Sequence, residues 1–146
     1  MKKFNKIFNM IMESLDDSFV EYYDEYGNLN LDKVEEEIKT DPNFDWNKLS
    51  KFDQLPEEFI IKYKDKLNWG LLSQFQDFSE EFMREYKDYL NWEEVCSMKK
   101  LSEEFIREMQ DYVDWPSVFE YQELTPEFKA EFQSKLPQAN TENAEI

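Results

Sequence analysis

Histidine is missing from all 146 residues, and cysteine occurs once, at Cys96. The first absence removes the usual general base and the commonest zinc ligand. The second leaves no disulfide within the chain and fits a reducing compartment. Glycine is down to Gly27 and Gly70, neither of which lies in a phosphate-cradling or dinucleotide pattern. Five prolines suit helices joined by tight connections. No apolar run approaches the length that spans a bilayer. The opening MKKFNKIFNMIMESLDD interrupts its apolar residues with Asn5, Lys6 and Asn9 and is followed by no small-residue cleavage site, so it does not read as a signal peptide. These lacks lead to the expectation of a soluble, cytoplasmic, non-enzymatic chain with no cofactor and no metal. Cys96 has no His partner to make it a nucleophile. Carboxylate pairs can do acid–base work, but among 34 acids some pair will always look suggestive.

Acid and aromatic residues are plentiful. The 34 acids face 17 bases, for a net charge of -17, and 17% of the chain is Phe, Tyr or Trp. That aromatic content argues for a folded protein despite a mean hydropathy of -0.85, because disordered acidic chains are poor in aromatics. Such a charge repels phosphate backbones and anionic lipids, so direct nucleic-acid or membrane binding is not expected; basic protein surfaces are the natural partners.

The tryptophans set the organisation. Trp46, Trp69, Trp92 and Trp115 are spaced by 23 residues without slippage, and so are Phe59, Phe82, Phe105 and Phe128. Four units follow: 46–68, 69–91, 92–114 and 115–137. Asp45, Asn68, Asn91 and Asp114 precede the tryptophans as N-caps of a short first helix, with apolar residues at three (Leu49, Leu72, Val95, Val118) and at six (Phe52, Phe75, Met98, Tyr121). Ser79, Ser102 and Thr125 cap a second helix; Pro56 stands there in the first unit, and Pro126 takes the first helical position in the fourth. The second helix is predicted to carry its inward face as Phe59/Tyr63/Leu67, Phe82/Tyr86/Leu90, Phe105/Met109/Val113 and Phe128/Phe132/Leu136, running straight into the next cap. The four tryptophans and four phenylalanines are the predicted core. Units this short cannot bury their own apolar faces and must stack. The predicted fold is all-α: an N-terminal helical hairpin, then four stacked two-helix repeats forming a short α-solenoid.

Residues 1–45 lie outside the repeat pattern. Phe4, Ile7, Phe8, Ile11, Leu15, Phe19 and Tyr22 predict one helix, ended by Tyr26-Gly27-Asn28. Asn30 caps a second helix with Leu31, Val34 and Ile38 inward, stopped by Asp41-Pro42. The hairpin is expected to cap the first repeat. From Asp24 to Glu35 the oxygens fall partly in calcium-loop register, but Tyr26 and Leu29 occupy the third and sixth places, and a capped turn is the simpler reading. Residues 138–146 lose the periodicity and are expected to be a disordered tail.

The phrases LPEEFIIKYKDKLNW (55–69), FSEEFMREYKDYLNW (78–92) and LSEEFIREMQDYVDW (101–115) resemble short helical repeats in uncharacterised open reading frames of bacteriophages and large viruses. The resemblance covers about 46–137; the fourth unit departs from it with Pro126 for the first Glu and Ser134 for the Asp. It implies stacked helices and a viral or mobile-element origin, and it implies no activity. In character, though not in motif, the chain is also similar to small acidic phage proteins that inhibit host defence nucleases, the anti-CRISPR proteins among them.

Three acidic columns run through the repeats: Glu57, Glu80, Glu103; Glu58, Glu81, Glu104, Glu127; and Asp65, Asp88, Asp111. Glutamates in a first turn favour the helix dipole and keep a repeat protein soluble. The imbalance goes further, with -3 and -4 in repeats two and three against +1 in repeat one. These columns are the candidate partner-binding residues. The expected function is that of a nucleic-acid mimic, an inhibitor occupying the basic channel of a host nuclease or CRISPR effector. The alternative is a generic interaction scaffold that binds a partner through the concave face of the repeats, with a homo-oligomeric structural protein behind it.

Overall fold

In a computed structural model of the chain, residues 22–52 and 55–136 are described, and they fall into two compact units, Met1–Asp45 and Trp46–Ile146. The helix expected over 2–23 and the expected tail lie outside the described residues, the first but for Tyr22 and Tyr23. Among the described residues there are nine α-helices and no strand beyond an isolated bridge between Tyr23 and Leu29.

In the first unit a tight turn leads into α1 (Leu31–Thr40). The Asp24 carboxylate accepts from the backbone N–H groups of Asn28 (2.8 Å) and Tyr26 (2.9 Å) and from the Asn28 amide at 3.1 Å. Those donors, the Asn28 N–H foremost, hold its carboxyl below the ordinary carboxylate range. Gly27 sits at φ 84°, the left-handed region that a glycine enters without strain. The Asn30 side chain then accepts from the Lys33 N–H, and Val34 is fully buried. The Tyr22 hydroxyl donates to Glu37. Residues 24–30 thus form a capped turn, served by the Asp24 carboxylate and the Asn30 side-chain oxygen.

The second unit holds α2 (Trp46–Ser50), α3 (Glu57–Lys62), α4 (Trp69–Phe75), α5 (Glu80–Glu85), α6 (Trp92–Met98), α7 (Glu103–Glu108), α8 (Trp115–Tyr121) and α9 (Pro126–Phe132), closed by a 3-10 turn at Gln133–Lys135. The tryptophan-led helices form the stack: α2 packs on α4, α4 on α6, and α6 on α8. The fold is therefore the all-α repeat array read from the 23-residue period. Six caps fall where the sequence puts them. Asn68, Asn91 and Asp114 accept from the N–H groups of Leu71, Glu94 and Ser117, while Ser79, Ser102 and Thr125 accept from Phe82, Phe105 and Phe128. Pro56 offers no such bond, and Pro126 opens α9.

Two expectations need correction. The second helices are only six residues long in repeats one to three, so Tyr63, Tyr86 and Met109 are C-caps rather than mid-helix residues. Indole hydrogen bonds hold the chain in these turns: the N–H of Trp69, Trp92 and Trp115 donates to the carbonyls of Lys64, Lys87 and Gln110 at 2.9, 2.9 and 3.1 Å. Those carbonyls bond an indole from beyond the helix end, and the chain passes through hydrogen-bonded turns to Leu67, Leu90 and Val113, which are still buried. The residues at Trp plus six also differ. Phe52 is buried, but Phe75, Met98 and Tyr121 are 42%, 58% and 56% exposed. The stack consumes the faces at Trp plus three and plus four, and position six points away from it.

Phe59, Phe82, Phe105 and Phe128 are buried as predicted, as are Trp92 and Trp115; Trp46 and Trp69 are half-buried. Two further core columns, Leu55/Phe78/Leu101 and Ile60/Met83/Ile106, went unread in the sequence. Around Trp69 the rings of Phe82, Tyr86 and Tyr89 lie at centroid distances of 6.2, 6.1 and 5.0 Å, so each indole is walled by its own repeat. Phe105 has no exposed surface. Phe105→Ala is expected to lower stability by about 4 kcal/mol in a urea titration, and Phe75→Ala, at the exposed position, by less than about 0.5 kcal/mol.

Candidate functional site

One of the three acidic columns is used inside the fold. Glu57 accepts from the Ser79 N–H at 3.0 Å, Glu80 from the Ser102 N–H at 3.2 Å and its hydroxyl at 2.8 Å, and Glu103 from the Thr125 N–H at 2.6 Å and its hydroxyl at 3.2 Å. Each glutamate therefore binds the N-cap of the next repeat's second helix and is half-buried in doing so. Two arginines make a parallel tie. Arg84 reaches Glu108 at 2.7 Å, and Arg107 reaches Glu131 at 2.8 Å, each guanidinium lying 5.4 Å from the centroid of the next repeat's phenylalanine, Phe105 or Phe128. The hydrogen bond from Arg107 holds the Glu131 carboxyl below its ordinary range.

A third tie runs through a small side chain four residues after each tryptophan. Ser50 and Ser73 donate to the carbonyls of Trp46 and Trp69, both at 2.6 Å, and accept from the N–H groups of Asn68 and Asn91, both at 2.9 Å. Cys96 occupies this place in repeat three, fully buried, with the Asp114 N–H directed at its sulfur. Burial pushes its thiol up to about 12. Cys96 is therefore an interface group of the stack. The signal was visible in sequence as Ser, Ser, Cys at one helical position, where a hydroxyl bonds back to the carbonyl four residues earlier. Repeat four carries none of these three devices: Phe119, Pro126 and Ala130 replace the Ser/Cys, the glutamate and the arginine.

Two acidic columns remain free. Glu58, Glu81, Glu104 and Glu127 are exposed, as are Asp65, Asp88 and Asp111, and among the described residues none makes an ion pair. They project from the second helices and the turns after them. On the first helices the exposed feature is apolar: Phe75, Met98 and Tyr121 stand at one register position on the successively packed α4, α6 and α8. A groove of about 230 Å³ opens between the last two of these helices, lined in part by Met98, Lys99, Lys100, Tyr121, Gln122 and Glu123. Gln122 is fixed there by bonds to the carbonyls of Cys96 (2.7 Å) and Lys99 (2.6 Å) and from the Leu101 N–H (2.9 Å).

Among the described residues no group of three or more His, Cys, Asp or Glu is placed to hold a metal ion, and no helix is long and apolar enough to cross a membrane. No family model matches the chain, and no curated protein or solved structure matches it either.

The division between tied and free carboxylates has a direct check. Glu57→Ala, Glu80→Ala and Glu103→Ala are each expected to cost about 1 kcal/mol in denaturant unfolding, because a neighbouring cap loses its acceptor. Glu58→Ala, Glu81→Ala and Glu104→Ala, in the same helical turn, are expected to stay within about 0.5 kcal/mol. Cys96→Ser is expected to preserve the tie and Cys96→Ala to lose about 1 kcal/mol. The thiol's pKa is raised from 9.0 to about 12, so the stability it contributes is complete below pH 9 and is lost as pH rises toward 12. Unfolding midpoints of the wild type relative to Cys96→Ser are expected to fall between pH 8 and pH 10.5, the serine variant having no thiol to ionise.

Proposed function

We propose that this chain is a non-enzymatic acidic binding protein, of phage or mobile-element origin, that inhibits a host nucleic-acid-binding defence protein by occupying its basic surface. The observation that carries this reading is the pair of carboxylate columns, Glu58/Glu81/Glu104/Glu127 and Asp65/Asp88/Asp111, exposed along a stack of equivalent units and, among the described residues, outside any ion pair. Stacked helices lie roughly 8–10 Å apart, close to the Debye length of about 8 Å at physiological salt. The columns then act on a partner as a continuous negative potential in dilute salt and break into isolated charges near 1 M, where the length is about 3 Å. The sequence without histidine and the buried, protonated Cys96 thiol support a binding role over a catalytic one. Nucleic-acid channels in defence nucleases are positively charged, which gives the columns their target.

The test uses a panel of nucleic-acid-binding defence proteins, CRISPR effectors included. The chain is titrated into each one carrying labelled DNA or RNA, with displacement read by fluorescence anisotropy at 50 and 300 mM salt. At least one member is expected to release its nucleic acid, with affinity falling more than tenfold between the two salt concentrations. Glu58→Gln, Glu81→Gln, Glu104→Gln and Glu127→Gln combined are expected to remove most of that affinity without changing the melting temperature. Binding that ignores salt and leaves nucleic acid in place would sink the reading.

A second reading, an interaction scaffold, is favoured by the exposed Phe75–Met98–Tyr121 row, which the charge argument does not use.

A further inference from the structure

Charge alone leaves an acidic decoy at a disadvantage. Duplex DNA presents one negative charge per roughly 1.7 Å of axis, or about six in the roughly 10 Å occupied by one repeat. The free columns supply one or two carboxylates per repeat. To displace nucleic acid, the protein needs contacts that phosphates cannot make.

The exposed row supplies them. Phe75, Met98 and Tyr121 place three large apolar side chains at one register position on three packed helices, at 42%, 58% and 56% exposure; Tyr89 and Tyr112, exposed at another repeated position, stand in the turns after the second helices. The row begins in repeat two, since Phe52 is buried. Its border is acidic: Asp77, Glu120 and Glu123 are exposed and Glu94 is half-buried. Of the two lysines beside it, Lys100 is already 3.9 Å from Glu123, and Lys99 leans over the Phe78 ring at 5.6 Å between Asp77 and Glu94. The border therefore favours cations on an incoming partner.

The spacing selects the partner's secondary structure. Seven residues of α-helix advance about 10.5 Å, close to the separation of stacked helices, so a helix laid along the row can meet all three side chains with one apolar stripe. An extended segment would need a strand edge to pair its backbone, and the described repeats offer none. The geometry points to the Phe75–Met98–Tyr121 row, with the groove between Met98 and Tyr121, as the docking site for a basic amphipathic helix of the protein partner. This deepens the inhibitor reading and rests on it for the partner's charge.

The test uses two labelled peptides of 18 residues and identical Leu and Lys/Arg composition, titrated with the full chain at 50 and 300 mM salt. One arranges its leucines as a helical stripe; the other scrambles them. The striped peptide is expected to bind at least tenfold more tightly. Phe75→Gln, Met98→Gln and Tyr121→Gln combined leave the net charge unchanged and are expected to bring the striped peptide down to the scrambled level. The melting temperature of this variant should hold, since all three side chains are exposed. Equal, salt-sensitive binding of both peptides, unaffected by the Gln variant, overturns the docking site while leaving the acidic reading standing. No binding of either peptide at 50 mM salt overturns both. A wild type that sediments as a dimer and becomes monomeric in the Gln variant overturns the helix and assigns the row to a second copy.

Discussion

A helix of five to seven residues is too short to persist by itself in water, where nucleation is costly and even good helix formers need two or three times that length. All eight helices of the repeat unit fall in this range. Their existence depends on the neighbouring repeat, and the dependence is written in hydrogen bonds as well as in apolar packing. The glutamate after one cap holds the following repeat's cap. Ser50, Ser73 and Cys96, four residues past the first three tryptophans, hold the backbone N–H that precedes the next first helix. The indole N–H of Trp69, Trp92 and Trp115 reaches back to the preceding turn. A repeat is thus tied to its neighbour at both of its helices.

This arrangement explains the composition. The side-chain caps satisfy an orphan N–H at the start of six of the eight short helices, and the glutamate ties satisfy the N–H of three of the capping residues. Aromatic rings supply the most buried area per residue, which a unit of 23 residues with so little helix requires. The acids split by one residue. Of each Glu-Glu pair, the first turns inward to the next repeat's cap and the second turns to solvent, a difference of about 100° around the helix. One column in three of what looks like a charged ladder is internal structure, and the other two face solvent. The exposed apolar row, Phe75, Met98 and Tyr121, lies on the other set of helices.

Phe119, Pro126 and Ala130 give repeat four a different character from the three before it. They remove the Ser/Cys and the glutamate by which repeats one to three hold a successor, and the arginine that repeats two and three add. Repeat one differs at its leading side in the same sense: Pro56 has neither an N–H nor a hydroxyl to offer a preceding glutamate, and Lys62 stands where Glu85, Glu108 and Glu131 follow. Solenoids need atypical terminal units because interior faces are sticky, and these substitutions supply them.

The sequence by itself determined the period, the helical class, the caps at Asn68, Asn91, Asp114, Ser79, Ser102 and Thr125, and the burial of the four repeated phenylalanines, because spacing and cap chemistry are local properties of the chain. It could not say where the second helices stop, since their end is shared with an indole from the following repeat. Nor could it tell Glu80 from Glu81, or Phe52 from Phe75, because adjacent glutamates and equivalent apolar positions look alike until a neighbour covers one of them. Only the stacking of repeat on repeat decided which carboxylates are spent inside and which rings are left in water.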